Sequence, residues 1–178
     1  MRKLTHDEIT ARRFTVDQLK NEDRLPIYVL LDNVRSLYNV GSIFRTSDGA
    51  RIAKLILTGY TPHPPRVEIE KTALGATTTV PWEYVKSFRE AAEMFKASAI
   101  PIAVLEHTDR SVPYYSLTRS QFPLCLVIGN EITGVSEEII ELADLAVDIP
   151  MYGMKQSLNA AIAYGIAVFE FARLFRSP

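Results

Sequence analysis

The feature that most constrains this chain is its alternation of short, almost wholly apolar runs with segments of helical period. Ile27–Leu31, Ala53–Leu57, Trp82–Val85, Ile100–Leu105, Leu124–Ile128 and Ala146–Ile149 read as strands. Between them, Asn39–Asp48, Phe88–Ala97 and a segment capped by Ser136 and running to Leu145 read as helices. Glu68–Leu74 is weakly helical, and the stretch with Pro113 and Pro123 reads as a loop. Strands without polar alternation are buried on both faces, which calls for a parallel sheet with helices on each side. The expected architecture is α/β, a Rossmann-like parallel sheet, and 178 residues suffice for one domain with a sizeable core. Residues 1–24 stand apart as a helical arm, with residues 25–178 as the domain. Thr5 with Glu8, and Thr15 with Gln18, fit capping boxes in that arm.

The last helix sets a second constraint. Pro150 ends a strand, Gly153 lies in the loop that follows, and Ser157 stands where an N-cap should stand. From Ala160 to Phe169 there is no charge, and small residues recur at Ala160, Ala161, Ala163, Gly165 and Ala167. A soluble helix apolar all round must be covered all round, by its own sheet and by something else, such as a second subunit. The lone cysteine, Cys125, sits in an apolar run and reads as a buried, inert thiol. His6, His63 and His107 are scattered, so no metal site is expected. No secretory h-region follows Met1 and no run is long enough to span a bilayer, which points to a cytoplasmic protein. A net charge of −1 means that any nucleic-acid surface must be local.

Ligands of such sheets bind at the carboxyl ends of strands, so the turns there carry the information. Three of them do. In Asn33–Thr46, Asn39 can cap a helix, and Gly41, Ser42, Arg45 and Asp48 share its open face, where Gly41, poor for a helix interior, suggests the close approach of a backbone or ligand. An Arg45–Asp48 surface pair would explain that face without any function. In Leu126–Ser136, a buried strand runs into Gly129, Asn130, Glu131 and Gly134, a tight turn that offers backbone groups to a ligand. An ordinary strand-to-helix turn is an equal reading of those residues. The spacing matches neither G-x-G-x-x-G nor a phosphate loop, which argues against dinucleotides, and so against a nicotinamide oxidoreductase, and against triphosphates. In the third turn, Ser157 and Asn159 are polar heads at a helix start, and plain capping would account for each alone.

Taken together, Asn39-Val-Gly-Ser-Ile-Phe-Arg45-Thr, Ile128-Gly-Asn-Glu131-Ile-Thr-Gly134-Val-Ser and Ile149-Pro-Met-Tyr-Gly-Met-Lys-Gln-Ser157-Leu-Asn159 resemble the three motifs of the SpoU-type, TrmH-like RNA methyltransferases of the SPOUT superfamily. The resemblance covers the core from about Ile27 to the C-terminus; the arm matches nothing in it. Ala73 and Ala161 depart from the family's usual small polar residues, at positions given no chemical role. The resemblance implies a C-terminal trefoil knot, S-adenosylmethionine as cofactor, a homodimer through the last helix, and methyl transfer to a ribose 2′-hydroxyl of a structured RNA, tRNA or rRNA. The cofactor would meet Ile128, Gly129, Gly134, Ile149, Met151, Ser157 and Leu158. Arg45 would be catalytic, as base or as clamp. Because a guanidinium stays protonated, it could be a base only where its pKa is strongly lowered. Asn39 would position Arg45 or the ribose, Glu131 would orient the motifs and hold the substrate, with the hydroxyl proton leaving to Glu131, phosphate or water if Arg45 is a clamp, and Ser157 and Asn159 would bridge cofactor and Arg45. Methyl transfer to a base nitrogen, and an RNA-binding module without catalysis, are the alternatives. Arg2, Lys3, Arg12 and Arg13 make the arm either a solvated helix face or an RNA contact.

Overall fold

The chain builds seven strands: β1 (Leu25–Asp32), β2 (Ile52–Thr58), β3 (Trp82–Val85), β4 (Ile102–Leu105), β5 (Val112–Pro113), β6 (Leu124–Ile128) and β7 (Leu145–Asp148). In the computed structural model, which describes residues 1–15, 18–19 and 22–176, they form one parallel sheet in the order β3-β2-β1-β6-β4-β7-β5. The order reverses direction between β1 and β6, the kind of switch point where open α/β sheets leave a crevice. β5 lies within the expected loop. It is too short to carry a period, and it pairs at the sheet edge through Val112 and Pro113.

The described helices are α1 (His6–Thr10), α2 (Leu37–Ala50), α3 (Val67–Ala73), α4 (Phe88–Ala97), α5 (Glu137–Leu142) and α6 (Ala160–Arg176). Alternate residues of the strands divide between two cores. Ile27, Val29, Leu31, Leu126 and Ile128 face Val40, Phe44, Tyr164, Val168 and Phe171 of α2 and α6. Leu30, Val104, Cys125 and Val127 face Phe88, Ala91, Phe95 and Ile139 of α4 and α5. Period-2 side-chain direction and burial on both faces together explain the unbroken apolar runs.

Several element ends differ from expectation for identifiable reasons. α2 begins at Leu37 because Ser36, not Asn39, caps it: the Ser36 hydroxyl accepts the Asn39 N–H at 3.3 Å. α6 begins at Ala160 because Asn159, not Ser157, caps it, its Oδ1 accepting from the N–H groups of Ala161 (2.9 Å) and Ile162 (3.3 Å). α5 stops at Leu142, since Leu145 already pairs with Ala103 of β4. Gly41 does not face open space. It is buried, and a Cβ there would lie 2.3 Å from the carbonyl oxygen of Ile69, so its role is the close approach of α2 and α3. Asp48 accepts from the Thr79 hydroxyl at 2.6 Å rather than pairing with Arg45.

In the N-terminal arm both capping boxes close: Thr5 with Glu8, and Thr15 with Gln18, each exchange reciprocal bonds. The hydrogen-bonded Arg2 guanidinium and the Thr5 N–H hold the Glu8 carboxyl at a pKa of about 2. Arginines fix the junction of arm and sheet. Arg51, buried at φ 58°, donates to the carbonyls of Leu19, Glu22 and Asp23. Arg24 donates to those of Ile52 (3.1 Å) and Thr79 (2.7 Å).

Candidate active site

The carboxyl ends of β4, β6 and β7 open onto a cavity of about 500 Å³, whose wall is completed by the loop after β7 and the first turn of α6. All seven residues expected to meet a cofactor line it: Ile128, Gly129, Gly134, Ile149, Met151, Ser157 and Leu158. The volume lies within the roughly 300–1,000 Å³ typical of small-molecule sites. Its lining mixes apolar side chains, among them Ile128, Ile149, Leu158, Ala160 and Ala163, with polar ones that include Glu106, His107 and Asp148.

The turn after β6 folds tightly on itself, and both its glycines are required for that. A Cβ on Gly129 would lie 2.5 Å from the backbone nitrogen of Val135. Gly134 has φ 68°, and a Cβ there would lie 2.3 Å from Glu106 Oε2. Asn130 and Gly134 exchange backbone hydrogen bonds of 3.1 and 2.9 Å across the turn. The Asn130 side chain, only 7% exposed, accepts from the N–H groups of Ile132 (2.8 Å) and Thr133 (3.1 Å). Its amide nitrogen donates to the Asn33 carbonyl and the Tyr60 hydroxyl, both at 2.8 Å. The turn is thereby tied to the ends of β1 and β2.

Glu131 then joins the three sequence motifs. Its carboxylate accepts from the backbone N–H groups of Arg35 (2.8 Å) and Ser36 (3.0 Å) and from the Asn39 side-chain amide (2.8 Å). Asn39 Oδ1 in turn accepts from the Asn159 amide at 3.0 Å. Partial burial works to raise the Glu131 pKa, but the donors from Arg35, Asn39 and Ser36 outweigh it and hold the carboxyl below its ordinary value. Asn39 thus bonds directly to both Glu131 and Asn159 and links them. Arg45 lies on the exposed side of α2 and forms no hydrogen bond or ion pair among the described residues. Ser157 lies in the cavity wall, exposed and without a hydrogen bond to the described residues.

Burial pushes the Cys125 thiol well above its usual pKa, as suits an inert core group. No cluster of three metal-ligating side chains occurs among the described residues, and no described helix is long and apolar enough to cross a membrane. The polar side chains Glu106, His107 and Asp148 of the lining are what the sequence reading missed. Glu106 follows the apolar run Ile102–Leu105 directly, at the strand end where a sheet of this type meets its ligand. His107 Nδ1 lies 3.4 Å from Asp148, which also accepts from the Ser111 hydroxyl at 3.0 Å. That position after β4 was the available signal.

The chain is similar to known proteins in sequence and in fold. A tRNA (guanosine(18)-2′-O)-methyltransferase from Aquifex aeolicus is 35% identical over 148 residues, covering 83% of this chain and 69% of that protein. The enzyme of the same name from Escherichia coli is 28% identical, over 82% of this chain and 62% of its own length. Among solved structures, the AdoMet-bound rRNA methyltransferase of Sinorhizobium meliloti matches with a TM-score of 0.80 and 31% identity, over 90% of this chain and 61% of that one. This chain therefore spans only about three fifths to two thirds of these proteins. The model of the SpoU rRNA Methylase family matches residues 26–169, nearly the whole of the sheet and its helices, and the chain belongs to that family.

Proposed function

We propose that this protein transfers a methyl group from S-adenosylmethionine to a ribose 2′-hydroxyl of a structured RNA, a tRNA or rRNA. The observation that carries the reading is that two separated turns, 129–135 and 149–159, line one cavity, while the third is tied to both through the hydrogen bonds of Asn39 to Glu131 and Asn159. Family membership and relatives named as tRNA 2′-O-methyltransferases support it.

The cavity suits the donor chemically. Its apolar side chains, with backbone groups at Gly129, Ile149, Met151 and Leu158, fit an adenine, and its polar side chains fit the hydroxylated remainder. When bound, the donor supplies a methyl group already activated on a sulfonium. The chain's own work is alignment and charge stabilisation. Arg45, cationic and unengaged among the described residues, holds the ribose phosphate and steadies negative charge growing on the attacking oxygen. Glu131 acts as a positioning residue. With its carboxylate occupied by three N–H donors and its pKa lowered, it makes a poor base, and the hydroxyl proton leaves to phosphate or water. Asn39 and Asn159 keep α2 and α6 in register across the site. Ser157, free at the wall, reaches the donor or the ribose.

The same reading includes a homodimer. Ile162, Ile166 and Phe169 form an exposed apolar stripe on α6, at 56%, 37% and 52% exposure, on the side away from the sheet. It also includes a trefoil knot in the C-terminal segment, for which family membership is the support, and an N-terminal arm whose Arg2, Lys3, Arg12 and Arg13 touch RNA.

The test is transfer of labelled methyl from S-adenosylmethionine to tRNA and rRNA, followed by digestion to nucleosides. Label in 2′-O-methylnucleosides supports the reading. Label on a base nitrogen favours the first alternative, and donor binding without transfer favours a non-catalytic module.

A further inference from the structure

We propose that Glu106 reads the ribose hydroxyls on the adenosine half of the methyl donor, a proposal that rests on the S-adenosylmethionine reading above. Glu106 is half-buried at the carboxyl end of β4 and lines the cavity. Its backbone N–H donates to the Val147 carbonyl at 3.0 Å, which fixes the residue between β4 and β7. Its carboxylate is fixed as well: Oε1 accepts the His107 N–H at 2.9 Å and Oε2 the Val135 N–H at 3.2 Å. A carboxylate oxygen has two acceptor directions, so each oxygen keeps one free. Two acceptors held about a carboxylate's width apart match the two O–H donors of a cis-diol.

The rest of the cavity favours that assignment. Among the described residues no lysine or arginine lines it, so no permanently charged cation of the lining competes for the carboxylate. The apolar side chains and backbone groups of the lining suit the base, and Glu106 offers acceptors suited to the sugar. Glu106 in this position requires glycine at 134, because its carboxylate occupies the space a side chain there would need, and it accepts the Val135 N–H from the same turn. A purely structural role as a brace for that turn is the competing account, and the two make different predictions.

Calorimetric titration of adenosine and 2′,3′-dideoxyadenosine into the wild type and Glu106→Gln separates them. Wild type should bind adenosine about tenfold or more tighter than the dideoxy analogue, and in Glu106→Gln that ratio should fall to about twofold, since charged acceptors make the stronger hydrogen bonds. Glu106→Asp, which keeps the charge but withdraws it by one methylene, should lose the ratio as well, and a thermal melt of each variant checks the fold. Equal weakening of both ligands, with the ratio kept, would identify a brace and overturn the proposal. A wild type that binds neither adenosine nor S-adenosylmethionine would instead overturn the donor reading, and this proposal with it.

Discussion

Asn130 and Glu131 stand side by side and do opposite things with their polar atoms. The Asn130 side chain is turned inward and makes four hydrogen bonds, fixing the turn from within. Glu131 is turned outward and gathers the start of α2. Because its folded pKa is lowered, Glu131 contributes stability that is present above the ordinary carboxylate pKa of about 4.3 and lost as pH falls through the lowered value. Glu131→Gln should therefore melt earlier than wild type at neutral pH, with the difference closing in acid; a pH series of thermal melts checks this. The difference should be modest, since the group is largely exposed. Gly134→Ala should abolish donor binding in calorimetry while the rest of the fold persists, as its Cβ would meet both Glu106 and an unfavourable φ. The sequence already pointed to glycines at these positions and to Glu131 at the strand end. It could not reveal that Glu131 reaches residues 35, 36 and 39, because those partners are almost a hundred positions away along the chain.

At the scale of elements, strand identity was legible because burial on both faces leaves an unmistakable apolar run, and β1, β2, β3, β4, β6 and β7 all fall within a few residues of expectation. Helix starts were less legible. Ser36 and Asn39, or Ser157 and Asn159, are all acceptable caps, and only the tertiary bonds of Asn39 and Asn159 decide how each pair is used. The α6 helix was expected to be covered all round, and within one chain it is covered on the Tyr164, Ala167, Val168 and Phe171 side only. Ala163, the obvious place to probe a partner by adding a charge, instead lines the cavity and would disturb the donor. Ile166→Glu is the cleaner test of the proposed dimer. Light scattering should show a monomer whose intrinsic fold loses no more than about 0.5 kcal/mol, the usual range for a surface change. A dimer of undiminished affinity would contradict the assigned interface.

For the whole molecule, the order of strands places β6 between β1 and β4, so that the turn after β6 can touch the start of α2 on one side and Glu106 on the other. No local pattern encodes that arrangement, which arises from pairings between segments far apart in sequence. Donor cavity and guanidinium are consequently separate: the cavity lies at β4, β6 and β7, while Arg45 stands on α2 outside its wall. Binding of donor and transfer of its methyl should then be separable by mutation. The most direct test is a single-turnover transfer assay with donor saturating, comparing wild type with Arg45→Ala. The account predicts unchanged donor affinity with a transfer rate reduced by about 10²–10³-fold, the scale of losing one charge-stabilising group in a transition state. A near-normal transfer rate in Arg45→Ala would contradict it.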